Sequence, residues 1–270
     1  MVNAIRHLNI EIARKCNQRC FYCFNNSGEA NRAEQLSFST WMNILAMMRQ
    51  WALRSILVTG GEPFIWPKII DLLYGAQELG LETSVLSNGF RVPKLAQEHS
   101  DVFRRLTVAQ ISLDSMNPVI HDVRRGIKGA WQDAVDAIEC LHKFNVPVEI
   151  SCTVSDGNLE ELIAVGEYTK SVGAKLLIRP LAKVGRASTT YLSPSFRLRL
   201  NLVLELLRVT HGVEIVTDRF LYAPITNEID IDALQNGILT IEPSGKFRYS
   251  FLSIGDGLTV YNAIELLKAA

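Results

Sequence analysis

Three cysteines crowd one short segment near the N-terminus, Cys16, Cys20 and Cys23, in the order Cys-x3-Cys-x2-Cys, with Tyr22 just before the last. Three thiolates on one loop can hold three irons of a cubane iron–sulfur cluster, which leaves the fourth iron without a protein ligand. Electron carriers saturate such a cluster with four cysteines, and an open metal position is where chemistry happens. The competing reading is a structural zinc site, which asks for four ligands. His7 could be the fourth, but it precedes a predicted strand, and Cys140 and Cys152 fall on later elements. Five cysteines, three of them on one loop, argue against a disulfide framework and for a metal site in a cytoplasmic protein.

Further polar residues punctuate the chain at intervals. Gly60-Gly61-Glu62-Pro63 follows an apolar run, Ser87-Asn88-Gly89 another, and Ser112 and Asp114 close a third in Ile111-Ser112-Leu113-Asp114-Ser115. Taken singly, each is no more than a tight turn. Arg179 ends a later run and could pair with a ligand carboxylate or form a surface salt bridge. Cys152, within Glu149-Ile150-Ser151-Cys152-Thr153, reads first as a small buried hydrophobe, and Cys140 as helix packing.

The elements that would position these residues alternate in type. Strands are predicted over residues 8–13, 55–59, 82–87, 108–113, 148–154 and 175–178. Helices are predicted over 40–51 with Ser39 as N-cap, from Pro67 onward, over 130–144, from an Asn158/Glu161 capping box to 171, and over 194–211. Six β-then-α units imply a parallel sheet covered by helices, with its ligand site at the strands' C-terminal ends. The polar motifs all fall at such ends, which argues for one site built from several strand tips. The last portion differs: residues 238–249 read as a hairpin turning at Ser244-Gly245, followed by a short helix over 260–269. The expected architecture is therefore α/β, a partial (β/α)6 TIM-like barrel over 1–212 with a small hairpin-plus-helix extension over 213–270.

Composition agrees with a globular protein. The chain has 270 residues, 48% of them apolar, and 28 basic residues balance 28 acidic ones. That balance gives no electrostatic footprint for nucleic acid or an anionic membrane. No secretory apolar run opens the chain, and no segment reaches the roughly 18 consecutive apolar residues needed to span a bilayer.

The cysteine loop, the Gly60-Gly61-Glu62-Pro63 motif and the later strand ends together resemble the radical S-adenosylmethionine (radical SAM) superfamily, over roughly residues 8 to 180 and more loosely beyond. The resemblance implies that Cys16, Cys20 and Cys23 hold one [4Fe-4S] cluster whose open iron is chelated by S-adenosylmethionine (SAM). It implies that Tyr22 packs on the adenine side and that Glu62, in the GGEP-like Gly60, Gly61, Glu62, Pro63, receives the methionine amino group. Ser87, Asn88, Ser112 and Asp114 would contact the methionine carboxylate or the ribose, and Arg179 a carboxylate of substrate or cosubstrate. A one-electron donor such as flavodoxin or ferredoxin would reduce the cluster, and a 5′-deoxyadenosyl radical would take a hydrogen atom from substrate. Cys152 then acquires a sharper reading, as a hydrogen-atom donor to a substrate radical.

His121-Asp122-Val123-Arg124-Arg125-Gly126, Gly185-Arg186-Ala187 and Glu242-Pro243-Ser244-Gly245-Lys246-Phe247 resemble segments of the peptide-maturing branch with SPASM or twitch extensions. No cysteine follows Cys152, so the extension is expected to be degenerate and to carry no auxiliary cluster. A peptide is the expected substrate. A sugar, nucleoside or cofactor precursor is the alternative, and a non-catalytic iron–sulfur or zinc protein is a third reading that predicts no SAM cleavage. The chain opens almost directly on its first strand, so a leader peptide is expected to be bound by a separate protein or by the C-terminal segment.

Overall fold

The structure, a computed structural model, describes residues 5–28, 35–217, 238–244 and 247–248. Its centre is one open sheet in the order β7-β6-β5-β4-β3-β2-β1-β8-β9. The strands are β1 (His7–Glu11), β2 (Ser55–Thr59), β3 (Glu82–Ser87), β4 (Leu106–Ser112), β5 (Val148–Val154), β6 (Lys175–Pro180), β7 (Ile215–Thr217), β8 (Ile238–Ile241) and β9 (Phe247–Arg248). All neighbours pair in parallel except β8 and β9. The expected α/β partial barrel is what the chain forms, with the sheet left unclosed. The helices are α1 (Phe38–Gln50), α2 (Ile69–Glu78), α3 (Val92–Glu98), α4 (Ser100–Arg104), α5 (Pro118–Arg125), α6 (Ala130–Lys143), α7 (Leu162–Ser171) and α8 (Phe196–Val209).

Parallel strands are buried on both faces, so they read as near-continuous apolar runs. Ile10, Val58, Val85, Ala109, Ile150 and Ile178 form the spine of the core, all nearly inaccessible to solvent. In α1 the buried residues Trp41, Ile44, Leu45 and Met48 fall on one face at helical spacing. The strand register brings the tips level: Glu11 pairs with Thr59, Ser87 with Ile111, Ser112 with Ser151, and Thr153 with Arg179. One edge of the sheet thus collects the polar residues that the sequence scatters. Among the described residues no helix is long and apolar enough to cross a membrane.

Several local expectations need correction. The N-cap of α1 is Ser37, whose Oγ accepts from Thr40 N at 3.1 Å; Ser39 lies inside the helix. Pro67 opens no helix: a 3₁₀ turn spans Pro63–Ile65, and α2 starts at Ile69. Asn158 closes a box with Ser155 on a 3₁₀ turn, and α7 starts without a side-chain cap. The hairpin exists as the β8–β9 pair, and β8 also pairs in parallel with β1. Gly245 of its turn and the helix expected over 260–269 lie outside the described residues.

Candidate functional site

The cysteine loop leaves the tip of β1 and closes on itself: Cys16 N donates to Gly28 O (3.3 Å) and Gly28 N to Arg14 O (3.2 Å). Three glycine-bearing segments press on its backbone from different parts of the chain. Gly61 N donates to Ala13 O (2.6 Å) and Glu62 N to Lys15 O (2.9 Å), and a β-carbon on Gly61 would stand 2.1 Å from Lys15 O. Gly126 ends α5 at φ +68°, a left-handed conformation that favours glycine, and a β-carbon there would meet Arg19 O at 2.6 Å. Just before it, Arg125 O accepts from Arg19 N (3.0 Å). Gly185, at φ +57°, approaches Phe24 O as closely. Next to it Arg186 N donates to Cys23 O (3.1 Å), and its guanidinium donates to Cys20 O (2.7 Å) and Ser27 O (2.8 Å). The His121-to-Gly126 and Gly185-to-Ala187 motifs are backbone clamps on the cysteine loop.

A cavity of about 210 Å³ opens where this loop meets the strand tips. Cys16, Cys20, Cys23 and Tyr22 form its loop side; Gly60, Gly61, Ser87 and Asn88 come from β2 and β3; Ser112 and Arg179 come from β4 and β6. These ten of the anticipated site residues come together. Arg179 donates to Ser151 Oγ (2.5 Å) and Gln110 Oε1 (3.0 Å), so it is held inside the sheet rim and not on the outer surface. The cavity is also lined by Gln18, Thr59, Arg125, Ser151, Thr153 and Arg186, none of which was anticipated. For Ser151 and Thr153 a signal existed: alternation along β5 puts both on one face.

Four anticipated residues do not line the cavity. Cys152 is fully buried between Ser151 and Thr153, and the same alternation turns it to the opposite face, 3.9 Å from Asp114 O. Burial pushes its thiol pKa well up. The expectation of a hydrogen-atom donor finds no support in that placement. Pro63 is buried at the start of its 3₁₀ turn. Asp114 is wholly buried and saturated by the protein. Its Oδ1 accepts from Arg125 and from Thr153 N, both at 3.0 Å, its Oδ2 accepts from the Tyr22 hydroxyl, and Arg124 Nε lies 3.5 Å away. Burial alone would raise its pKa, but Arg125 and Arg124 outweigh that and hold it below the usual carboxylate range. Asp114 therefore ties the cysteine loop to α5 and β5 and has no face toward a cosubstrate. His121 Nδ1 accepts from Asp114 N (3.1 Å), and burial lowers its pKa to about 4.

Glu62 is also buried, but its partners carry no charge. Oε1 accepts from Ser87 Oγ (2.8 Å) and Phe64 N (3.1 Å), and Oε2 from Asn88 N (2.8 Å). Burial raises its pKa to about 7 against the lowering effect of these hydrogen bonds.

The donor set fits a three-thiolate cluster. Gln18 N points at Cys16 Sγ and Ser27 N at Cys23 Sγ, each at 3.4 Å, and Arg125 faces Cys20 Sγ at 4.0 Å. Asn88 Nδ2 adds a second donor to Cys16 Sγ at 3.8 Å, so each sulfur meets at least one N–H group, the outer-shell support that thiolate ligands use. Burial, and then Glu62, push the Cys16 thiol up to about 12, so the free thiol holds its proton until a metal displaces it. Among the described residues no three His, Cys, Asp or Glu side chains surround the position of one metal ion. A cubane asks for one thiolate per iron.

Residues 10–168 match the sequence model of the Radical SAM superfamily. The AdoMet-dependent heme synthase of Methanosarcina barkeri is 29% identical over 176 residues, 64% of this chain and 50% of that protein. The sporulation killing factor maturation protein SkfB of Bacillus subtilis is 28% identical over 180 residues, 66% of this chain and 43% of that protein. The chain thus spans half or less of these relatives' length. The structure of Streptococcus suis SuiB bound to S-adenosylmethionine superposes with a TM-score of 0.76 at 15% identity, over 95% of this chain and 63% of that one, and SuiB bound to precursor peptide SuiA does so equally well. At that identity the likeness shows the fold.

Proposed function

We propose, because the chain belongs to the radical SAM superfamily, that it cleaves SAM reductively at a single [4Fe-4S] cluster and that its substrate is a peptide. Members of the superfamily are enzymes that use a [4Fe-4S] cluster and SAM. The observation that carries the reading is the convergence of the Cys16, Cys20 and Cys23 thiols on one cavity whose remaining walls are strand tips. When bound, the cluster and SAM supply one electron and a 5′-deoxyadenosyl radical able to remove a hydrogen atom from an unactivated position.

The chain's own residues would do the following. Cys16, Cys20 and Cys23 ligate three irons. Glu62 receives the methionine amino group: its Oε2 takes a single hydrogen bond, so it retains an acceptor position, and a cation there would draw its pKa back down. The Ser112 and Ser151 hydroxyls and the Arg179 guanidinium offer donors to a carboxylate. Leu86, Phe24 and Pro180 keep part of the wall apolar, which excludes water as a competing hydrogen donor. Residues 213–270 would serve as a degenerate, cysteine-free SPASM/twitch-like extension.

SkfB, by its name a maturation protein, and SuiB, seen with a precursor peptide, support the peptide reading. The heme synthase, equally similar in sequence, favours a small-molecule precursor as the second reading. The test is anaerobic reconstitution, reduction with dithionite and assay of 5′-deoxyadenosine. Wild type is expected to carry about four irons and to form the nucleoside, and Cys20→Ala to lose both. Four irons without nucleoside, in the presence of SAM, would sink the activity; eight would sink the single cluster. Incubation with short peptides encoded beside the gene, read by mass, separates the two substrate classes.

A further inference from the structure

Of the three residues between Cys16 and Cys20, only Gln18 is buried. It is 2% exposed, while Asn17 is half-buried and Arg19 exposed. Glutamine is mostly a surface residue, and a buried amide needs partners for its two hydrogens. Among the described residues Gln18 finds none for them: Nε2 is shut off from solvent and meets no acceptor. An apolar side chain would fill the same space without that cost. The backbone beneath the amide is nonetheless fixed, because Gln18 N donates to Cys16 Sγ at 3.4 Å and Arg19 N to Arg125 O at 3.0 Å.

The other end of the carboxamide faces a cluster ligand. Gln18 Oε1 lies 3.8 Å from Cys20 Sγ and accepts from its thiol. A ligating thiolate has no hydrogen to give. Oε1 would then face a negative sulfur, and the attraction becomes repulsion. A half-turn of the carboxamide exchanges its oxygen and nitrogen within the same space, and it brings the Nε2 hydrogens to that sulfur. The oxygen takes the place of the orphaned amide, and folded proteins leave a carbonyl oxygen unpaired more readily than an N–H. Cys20 Sγ is then held between Gln18 and the Arg125 guanidinium, which stands 4.0 Å away.

We propose that Gln18 sets the reduction potential of the cluster by donating an N–H···S hydrogen bond to the Cys20 thiolate, its carboxamide turning over as the cluster is loaded; this rests on the cluster reading above. Reduction moves one electron from the reductant to the cluster and breaks no bond. The added negative charge spreads onto the sulfurs, so a donor there stabilises the reduced form and raises the potential. Among the described residues Gln18 is the one glutamine that lines the cavity.

The test is a redox titration of the reconstituted full-length protein, followed by electron paramagnetic resonance without SAM. Gln18→Met keeps the length of the side chain and removes its N–H. The variant should retain about four irons. Its reduction should become about tenfold less favourable, a fall of about 59 mV in midpoint potential. The same or a higher midpoint, with the irons in place, would overturn the proposal. A second measurement needs no variant. Wild type is made by cell-free synthesis with glutamine carrying nitrogen-15 at the side-chain amide, and the reduced cluster is read by pulsed resonance. A coupling to that nitrogen is expected, and its absence would also overturn the proposal. This reading decides alone if Gln18→Met does not hold its irons. Failure of wild type itself to take up about four irons, or to give a reduced-cluster signal, defeats instead the function on which the proposal rests.

Discussion

Two buried carboxylates flank the cysteine loop, and they live in opposite environments. Glu62, at the tip of β2, is held by neutral hydrogen-bond donors and keeps a pKa raised to about 7. Asp114, beyond the tip of β4, is held by two guanidiniums and keeps a lowered one. Both are carboxylates just past a strand end, so the sequence presents them alike. The charge of the partners separates them. A carboxylate already neutralised by arginines is finished as structure. One given only neutral donors remains available to a cation that arrives later.

The largest effect that would break this contrast is at Asp114. Asp114→Asn leaves Arg124 and Arg125 buried without their carboxylate, and is expected to cost about 3–5 kcal/mol in denaturant unfolding of the cluster-free protein. A loss below 1 kcal/mol would mean that the arginines find compensation elsewhere.

Glu62 should behave differently, and with pH. Its folded pKa of about 7 exceeds the ordinary 4.5, so the stability associated with its neutral form is complete below pH 4.5 and is lost as pH rises through 7. Glu62→Gln removes that slope. Relative to wild type, the variant should gain on the order of 3 kcal/mol between those limits, measured without SAM, and should bind SAM more weakly. Parallel stability–pH curves for the two proteins would show that Glu62 ionises normally and is not held in reserve.

The smallest effect is expected at Cys152, a residue of the core and of neither charged region. Cys152→Ala should lower stability by about 1 kcal/mol and leave nucleoside and product yields unchanged. Lost product with intact nucleoside would restore it as a hydrogen donor.

Much of the site was legible because its residues punctuate strands. The limits of β2, β3 and β5 follow directly from apolar runs bounded by glycine, asparagine or serine, and the three cysteines needed no fold to be noticed. What escaped depends on the register between distant segments. β8 reads in sequence as one arm of a hairpin, but its parallel pairing with β1, across the length of the chain, has no local signal. Arg124-Arg125 reads locally as a solvated basic pair at a helix C-terminus. Only the meeting of α5 with the cysteine loop buries both and assigns them Asp114. Asn158 resembles a helix cap in sequence, yet its amide donates to Asp114 O and Thr153 O, partners no local pattern discloses.

The clamps on the cysteine loop also set an order of events. Cys20 O receives a hydrogen bond from Arg186, 166 residues downstream, and the same loop leans on Gly61 and Gly126. Contacts of such separation form late, because the loop-closure entropy must be met before they stabilise anything. During synthesis the cysteines emerge first and wait through most of translation for the segments that shape them. A cluster delivered to the nascent chain would meet three thiols on an unformed loop, so iron loading belongs after the sheet has assembled.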